Sequence, residues 1–486
     1  MQLLSKSSYL LGLQCPKLLW TKINKKERIP DVDKALQHRF DEGTKIGKLA
    51  TSLFKKGIYI PEDFKQNLEE TKELIKKRVA LFEPSFMIED LYSRADILKP
   101  VGKDKWDIIE VKSSTEVKEV NLHDLSFQKH IYEKSGLKIR KCFLMHINNK
   151  YIRKGKISTK KLFKIENVTK EVKDISKGIE DRILLMQEVI NNKEPEVKIN
   201  YNCKKPYPCQ IMDHCWGFLP EKNHVFHLYR GGKKSFSLFE DGIIEIVDIP
   251  EDFKLNVKQI IQKETAKTGK AHINKKGIKE FLETLEYPLY FLDFETYQTA
   301  IPLYNGLKPY QQIPFQYSLH IQEEKNGKLQ HISYLAKGKK DPRKSFMKSL
   351  IKNLGDKGSV VVYNQSFEKM ILRQLGEKFL EYQDWVSSID KRIVDFLVPF
   401  RNFDYYHPKQ KGSASIKKVL PVLVGKGYEG MDIADGGMAS LEYLYITHID
   451  SSNTNKVRKA LERYCELDTL AEVWILEKLL LISTTK

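Results

Sequence analysis

The sequence predicts an α/β protein of two domains, each built on its own sheet. Three observations carry this. The apolar run Leu289-Tyr290-Phe291-Leu292 ends in Asp293-Phe294-Glu295-Thr296 and is followed by strands, a helix, another strand and then mainly helices. Far upstream, Ser93-Arg94-Ala95-Asp96-Ile97-Leu98 and Trp106-Asp107-Ile108-Ile109-Glu110-Val111-Lys112 read as two strands ahead of a helical stretch. Cys15 on one side and Cys203, Cys209 and Cys215 on the other bracket that first region. The expected division is residues 1–220, a connector over 221–285, and a second domain over 286–486.

Composition narrows the function classes. A chain of 486 residues with 41% hydrophobic residues has ample length for packed cores. No stretch approaches 18 uncharged apolar residues, so no membrane-spanning helix is expected. The opening Met1-Gln2-Leu3-Leu4-Ser5-Lys6 lacks the apolar core and cleavage site of a signal peptide, which points to the cytoplasm. The net charge of +19 suits a polyanionic partner, although usage rich in Lys, Ile and Asn is also the mark of an AT-rich genome.

In the first domain the two strands are joined by a turn around Pro100-Val101-Gly102-Lys103-Asp104. Alternation puts Glu110 and Lys112 on one face, and pairing across the hairpin brings Asp96 toward them. Residues 121–135 follow as a helix with Gln128 and Tyr132 one turn apart. An exposed hairpin with an ordinary Glu–Lys pair is the plainer alternative.

Six cysteines do not make a disulfide framework in a cytoplasmic chain. Cys203, Cys209 and Cys215 are separated by equal five-residue spacers among turn formers, as in a ligand loop. Together with Cys15 they offer four thiolates, a set that suits a cubane iron–sulfur cluster or tetrahedral zinc. His214 is a rival ligand, while Cys142 and Cys465 fall in apolar elements and read as ordinary buried residues.

In the connector, short strands are expected around Ser235–Phe239 and Ile243–Val247, and the lysine-rich stretch Lys263–Lys276 reads as a linker. The second domain is then expected to run as strands 289–296, 313–322 and 328–335, a helix 341–355, a strand 359–364 and helices. Asp293 and Glu295 project from one face of the first strand, where their mutual repulsion suits hard divalent cations. A solvated acidic edge is the alternative. A helix starts at Ser366 with Glu368 in its first turn, and a long helix over 456–482 puts Tyr464 and Asp468 on one face. The turn Gly412-Ser413-Ala414-Ser415 opens a helix, exposing N–H groups that suit a phosphate, with Lys417 nearby; a plain polar loop capped at Ser413 or Ser415 is the other reading. Asp395 suits either the acidic site or a helix cap.

Asp-x-Glu on a first strand, Asn364-x-x-Phe367-Glu368 at a strand-to-helix step, and Tyr464-x-x-x-Asp468 on a late helix resemble the motifs of DnaQ-like 3′–5′ exonucleases of the DEDDy type. The departure is Glu368, where that family usually has Asp. The resemblance implies an RNase H-like domain with a mixed sheet. It further implies that Asp293, Glu295, Glu368 and Asp468 hold two Mg²⁺ or Mn²⁺ ions about 4 Å apart, with Tyr464 orienting the attacking water and Asn364 near the nucleic acid.

Asp96, then Glu110-x-Lys112, then Gln128-x-x-x-Tyr132 resembles the PD-(D/E)XK restriction-endonuclease-like fold of RecB-type nucleases. One cysteine before and three after is similar to the iron–sulfur members, such as CRISPR-associated RecB-like exonucleases and AddB. By this resemblance Asp96 and Glu110 bind metal, Lys112 activates the nucleophile, Gln128 and Tyr132 contact nucleic acid, and Cys15, Cys203, Cys209 and Cys215 hold a [4Fe-4S] cluster. The first cysteine gap is longer than in those proteins, which keeps zinc as the alternative. Gly47 stands where a metal-binding His is usual, so Glu42, or less readily His38, is the expected substitute. The pairing resembles a prokaryotic family of fused RecB-like and RNase H-like nucleases. It implies a metal-dependent nuclease, chiefly a 3′–5′ exonuclease on DNA, with RNA as substrate or a binding module with silent sites as alternatives. A helicase or a repair or defence partner is compatible with either reading.

Overall fold

The computed structural model describes residues 2–485, in two compact units. The first unit runs to Phe218 and takes in Thr299–Gln311; the second holds Leu219–Gln298 and the chain from Gln312. Both are α/β with mixed sheets, as the sequence predicts. Among the described residues no helix is long and apolar enough to cross a membrane.

The first unit opens with helix α1 (Lys6–Gln14) and is built on a six-stranded sheet. Its centre is β1 (Ile97–Val101) antiparallel to β2 (Lys105–Lys112), which lies parallel to β3 (Lys138–Ile147). Helix α2 (Glu119–Lys134) makes the crossover from β2 to β3, as a parallel pair requires. Leu125, Phe127 and Ile131 on α2 are buried in the same core as Ile108 and Leu144, and Tyr9 of α1 stacks on Phe127 with ring centroids 4.6 Å apart.

The expected strand 93–98 is split. Leu91–Arg94 pairs in a separate three-stranded sheet with Leu4–Ser5 and Ser85–Ile88, and β1 starts only at Ile97. Two hydrogen bonds explain the break. Ala95 N donates to Pro84 O, and the Asp96 carboxylate accepts from Val111 N at 2.6 Å, so this dipeptide is drawn out of a regular ladder.

The second unit carries a five-stranded sheet whose members are β4 (Leu289–Tyr297), β5 (Ile313–Gln322), β6 (Leu329–Leu335), β7 (Ser359–Val362) and β8 (Ile393–Asp395). Their spatial order is β6-β5-β4-β7-β8, with the first three antiparallel and β4, β7 and β8 parallel. Helix α3 (Arg343–Asn353) joins β6 to β7, and α4 (Gln365–Lys378) follows β7. Three further helices bear on the site: α5 (Ile416–Leu423), α6 (Gly436–His448) and α7 (Thr454–Thr484).

Strand alternation divides the work of the two sheet faces. Tyr290, Leu292 and Phe294 enter the apolar core with Tyr317, Leu319, Phe346, Val360 and Ile371. The opposite face carries Asp293, Glu295, Gln316, Ser318 and His320 and is crossed by α7, to which Gln316 Nε2 donates at Leu461 O over 2.8 Å. The β4–β5 register shifts between Glu295 and Thr296, a bulge directly beside the acidic pair.

Residues 221–285 differ from expectation. Ser235–Phe239 lies in a helix, Lys233–Glu240, and Ile243–Val247 ends in the single turn Ile246–Asp248. Gly232 and Gly242, both at positive φ, stop that helix on either side. Leu238 buries against Val225, Leu228, Ile246 and Ile249, a contact that suits one helical face as well as a strand. The lysine-rich stretch is also packed: Val257–Thr268 is a helix in which Lys263 is buried and pairs with Glu251 at 2.7 Å.

Candidate metal centre

Asp293, Glu295 and Asp468 come together at the junction of β4 and α7, with one ligand oxygen from each within 4.8 Å of the others. The first two share a face because strand side chains alternate; Asp468 meets them because Tyr464, Asp468 and Glu472 recur every four residues along α7. Burial pushes all three carboxyls up; repulsion from Asp468 and Glu295 raises Asp293 further, and Asp468 raises Glu295. Asp293 and Glu295 stand well above the ordinary range, whereas Asp468 is pushed to about 6.

Glu368 faces the same region from the first turn of α4, 3% exposed, with Oε2 unpartnered and the group pushed to about 8 by burial. Its charge raises Asp293 and Glu295, although it lies outside the 4.8 Å trio. Glu472 is 1% exposed, also has an unpartnered Oε2, and is held well above the carboxylate range by burial and by Asp293, Glu368 and Asp468. The sequence reading missed it, yet its signal is the same four-residue spacing that marks Tyr464 and Asp468.

Little offsets this concentration of acid. Lys417 Nζ is the cation whose charge lowers Glu295 and Asp468, and it lies 5.5 Å from the ring centroids of both Tyr428 and Tyr464 while donating to Ala434 O at 2.6 Å. Tyr428 donates to Asp468 Oδ1 at 2.5 Å, and the Tyr464 hydroxyl also bonds Asp468. Tyr428 comes from an irregular loop 40 residues upstream of Asp468, so no local pattern announces it. Cys465, expected to be an inert core residue, is buried with Sγ 3.8 Å from Asp293 Oδ2.

Asn364 sits at the strand-to-helix step in the left-handed region, and its N–H donates to Asp395 Oδ1 at 2.8 Å. Asp395 also accepts from Leu397 N at the start of the helix Leu397–Asn402, and its charge raises Glu368 and Glu472, so it serves the backbone and lies beside the acidic set as well. Ser415 opens α5 without a side-chain cap, and Ser413 Oγ donates to its hydroxyl at 3.1 Å.

In the first unit Asp96, Glu110, Lys112 and Gln128 also meet, joined by two residues that no sequence pattern singled out, Lys6 and Asp124. Lys112 Nζ bridges Glu110 and Asp124 at 2.7 Å each, Lys6 reaches Glu110 at 3.0 Å, and Gln128 Nε2 donates to both acids. Burial, with Asp124 and Asp96, raises Glu110 to about 7, while the two lysines and Gln128 hold Asp124 well below its ordinary value against its burial. Gln128 and Tyr132 are fully buried, Tyr132 donating to Pro84 O, so neither offers the nucleic-acid contact expected of it. Glu42 does not join this group either; its carboxylate accepts from Ala300 N at 2.9 Å.

Cys15, Cys203, Cys209 and Cys215 are drawn together. Cys15, Cys209 and Cys215 border one small apolar cluster around Leu18 and Ile211, Cys209 N donates to Cys203 O, and the charge of Cys203 raises the other three thiols. Burial is the larger cause and brings Cys209 to about 11. His214 is exposed, and Cys142 lies in the core.

Residues 290–415 match a family model described as a domain of unknown function, DUF2779. That span contains Asp293, Glu295 and Glu368 and stops before Asp468. The chain is 28% identical over 229 residues to the "Uncharacterized protein MG366 homolog" of Mycoplasma pneumoniae, covering 42% of this chain and 34% of that protein. It is 26% identical over 211 residues to "Uncharacterized protein MG366" of Mycoplasma genitalium, covering 38% and 31%. It is 30% identical over 172 residues to "Uncharacterized protein UU173" of Ureaplasma parvum, covering 32% and 24%. The matches span about a third or less of those relatives' length. A solved structure, "Crystal structure of SSO0001", aligns with 45% of this chain and 88% of its own at 16% identity, with a TM-score of 0.23.

Proposed function

We propose that the protein is a metal-dependent nuclease whose second unit shortens DNA from the 3′ end. The observation that carries this reading is the buried set Asp293, Glu295, Asp468, Glu368 and Glu472, five carboxyls with two unpartnered oxygens and one nearby cation. An all-oxygen donor set of this kind fits Mg²⁺ or Mn²⁺. The strand order β6-β5-β4-β7-β8, with acids on the central strand and a late helix, is the order expected of an RNase H-like nuclease and adds support.

Divalent ions held by Asp293, Glu295, Asp468 and Glu368 would supply a water of lowered pKa and charge stabilisation at the departing oxygen. Tyr464 and Tyr428 hold Asp468 in one orientation by hydrogen bonds. Lys417 offers positive charge beside Glu295 to a phosphate, and Ser413 and Ser415 offer hydroxyls on the loop before it.

In the first unit Asp96, Glu110 and Lys112 fit a RecB-like site, and the four neighbouring cysteines offer the thiolates that a [4Fe-4S] cluster, or zinc, would take. A second reading, nucleic-acid binding without cleavage, is favoured for this unit by the ammonium groups of Lys6 and Lys112 bonded to its carboxylates.

The test is digestion of 5′-labelled and 3′-labelled single-stranded DNA with Mn²⁺, comparing the parent with Asp293→Ala and Lys112→Ala. Stepwise 3′ shortening lost in Asp293→Ala supports the proposal, and cutting that survives there but disappears in Lys112→Ala belongs to the first unit. An inert parent on both DNA and RNA would overturn the enzyme reading in favour of a binding module.

A further inference from the structure

On the face of the second sheet that also bears Asp293, His320 of β5 and His331 of β6 are directly paired across the strands, and their rings stack with centroids 4.5 Å apart. Glu466 of α7 completes a group in which one ligand atom from each residue lies within 4.8 Å of the others. Two imidazoles and a carboxylate at this separation differ from the acidic centre in chemistry: nitrogen ligands select borderline transition ions over Mg²⁺.

The surrounding hydroxyls orient both rings. Thr469 Oγ1 contacts Glu466 O at 3.1 Å, Ser318 Oγ at 2.8 Å and His320 Nδ1 at 2.8 Å, and Ser318 Oγ in turn contacts His331 Nε2 at 2.9 Å. A carbonyl oxygen can only accept, so the Thr469 proton goes to Glu466 O. Thr469 then accepts from the Ser318 hydroxyl and from His320 Nδ1–H. Ser318, its proton committed, accepts from His331 Nε2–H. This assignment leaves His320 Nε2 and His331 Nδ1 as the nitrogens with free lone pairs. The second of these is 3.7 Å from Glu466 Oε1. Three groups that can only accept are thus gathered, with hydroxyls behind each ring in the manner of outer-shell partners at metal sites.

We propose that His320, His331 and Glu466 form a second metal site, for a borderline divalent transition ion such as Zn²⁺. His320 is buried, whereas His331 and Glu466 have side chains 28% and 47% exposed, so the fourth position is open to water. The ion ties β5 and β6 to the turn of α7 that carries Asp468. It does not depend on the nuclease reading, since its ligands are distinct from the acidic centre.

The experiment is equilibrium dialysis of the full chain against micromolar Zn²⁺, with bound metal counted by mass spectrometry. All proteins carry Asp293→Asn and Asp468→Asn, so that the acidic centre does not enter the comparison. The expected result is one fewer zinc per chain in His331→Ala and in Glu466→Gln than in the background protein. Ser318→Ala is expected to keep the stoichiometry but weaken binding roughly tenfold, by loosening the His331 ring. Near-ultraviolet circular dichroism of the metal-free variants checks that each is folded, and exposed Glu466 makes the most conservative change. Equal zinc content in the background, His331→Ala and Glu466→Gln proteins would overturn the site and leave a hydrogen-bonded histidine pair.

Discussion

The two units solve the same electrostatic problem in opposite ways. In the first, Glu110 is 1% exposed and shares the interior with Asp96 and Asp124, and Lys6, Lys112 and Gln128 reach into the cluster with hydrogen bonds of 2.7–3.0 Å to Glu110. In the second, Asp293, Glu295, Asp468, Glu368 and Glu472 face one another with Lys417 as the nearby cation and two oxygens unpartnered. Burying a carboxylate is costly unless it is paired or bound to metal. The first cluster carries its counter-charge in its own lysines, while in the second it would come from the divalent ions of the proposed function. The number of acids is not what separates the two; the difference lies in which other groups the fold delivers to them.

The sharpest way to break the comparison is to remove one acid from the second cluster. Asp293→Asn is expected to lower metal-dependent cleavage by about 10³-fold, since a bound ion supplies several kcal/mol of transition-state stabilisation. Labelled-strand digestion reads this, and a variant as active as the parent would separate the cluster from the chemistry.

Stability should respond with opposite signs in the two units. Lys112→Met leaves Glu110 and Asp124 without their shared bridge and is expected to destabilise by about 2 kcal/mol, less than for a fully buried broken pair because the Lys112 side chain is 26% exposed and Lys6 still reaches Glu110. Asp293→Asn relieves repulsion and is expected to stabilise the metal-free protein by about 1 kcal/mol. Urea unfolding with a chelator present measures both. If both changes destabilise alike, the second cluster is internally satisfied after all.

Acidity sharpens the point. Glu368 has a folded pKa of about 8 against an ordinary value of 4.5, so the folded state holds its proton more tightly than the unfolded chain does. Its contribution to stability is present below about pH 4.5, is lost as pH rises through about 8, and is constant above. Melting temperatures taken in chelator should therefore fall over this window, and Mn²⁺ should restore more at pH 8 than at pH 6. A Glu368→Gln variant should show a flatter profile. A parent profile that rises with pH, or one unchanged by the substitution, would contradict the assignment.

The sequence was most legible where periodicity and chemistry coincide. The alternation in β4 pairs Asp293 with Glu295 and the four-residue spacing in α7 pairs Tyr464 with Asp468, while only the resemblance joined the two pairs, and strand β5 emerges with its expected ends. Glu472 and Asp124 were within reach of the same rule, each one helical turn from a residue already singled out, Asp468 and Gln128. Lys6 and Tyr428 were not: they meet their acids across 104 and 40 residues, and no local pattern encodes such contacts. The connector misled because Phe236, Leu238 and Phe239 satisfy a strand and a helix pattern equally over so few residues, and the flanking glycines decide between them.

The smallest expected effect tests whether tyrosine partners can stand in for the missing cations of the second cluster. Tyr428 donates its hydroxyl to Asp468 Oδ1, and that bond, with Lys417 and Tyr464, is what holds Asp468 near 6 while its burial pulls it higher. Tyr428→Phe removes one hydrogen bond to a charged acceptor and leaves the ring stacking surface intact, a loss of about 1.5 kcal/mol. Cleavage should fall by about tenfold, and the acidic limb of its pH profile should move to higher pH, because Asp468 then holds its proton more tightly. A purely structural Tyr428 would lower the rate without moving that limb. The direction of the shift therefore says whether the hydroxyl acts on Asp468 as an electrostatic partner, a weaker counterpart in the second unit of what Lys112 is to Asp124 in the first.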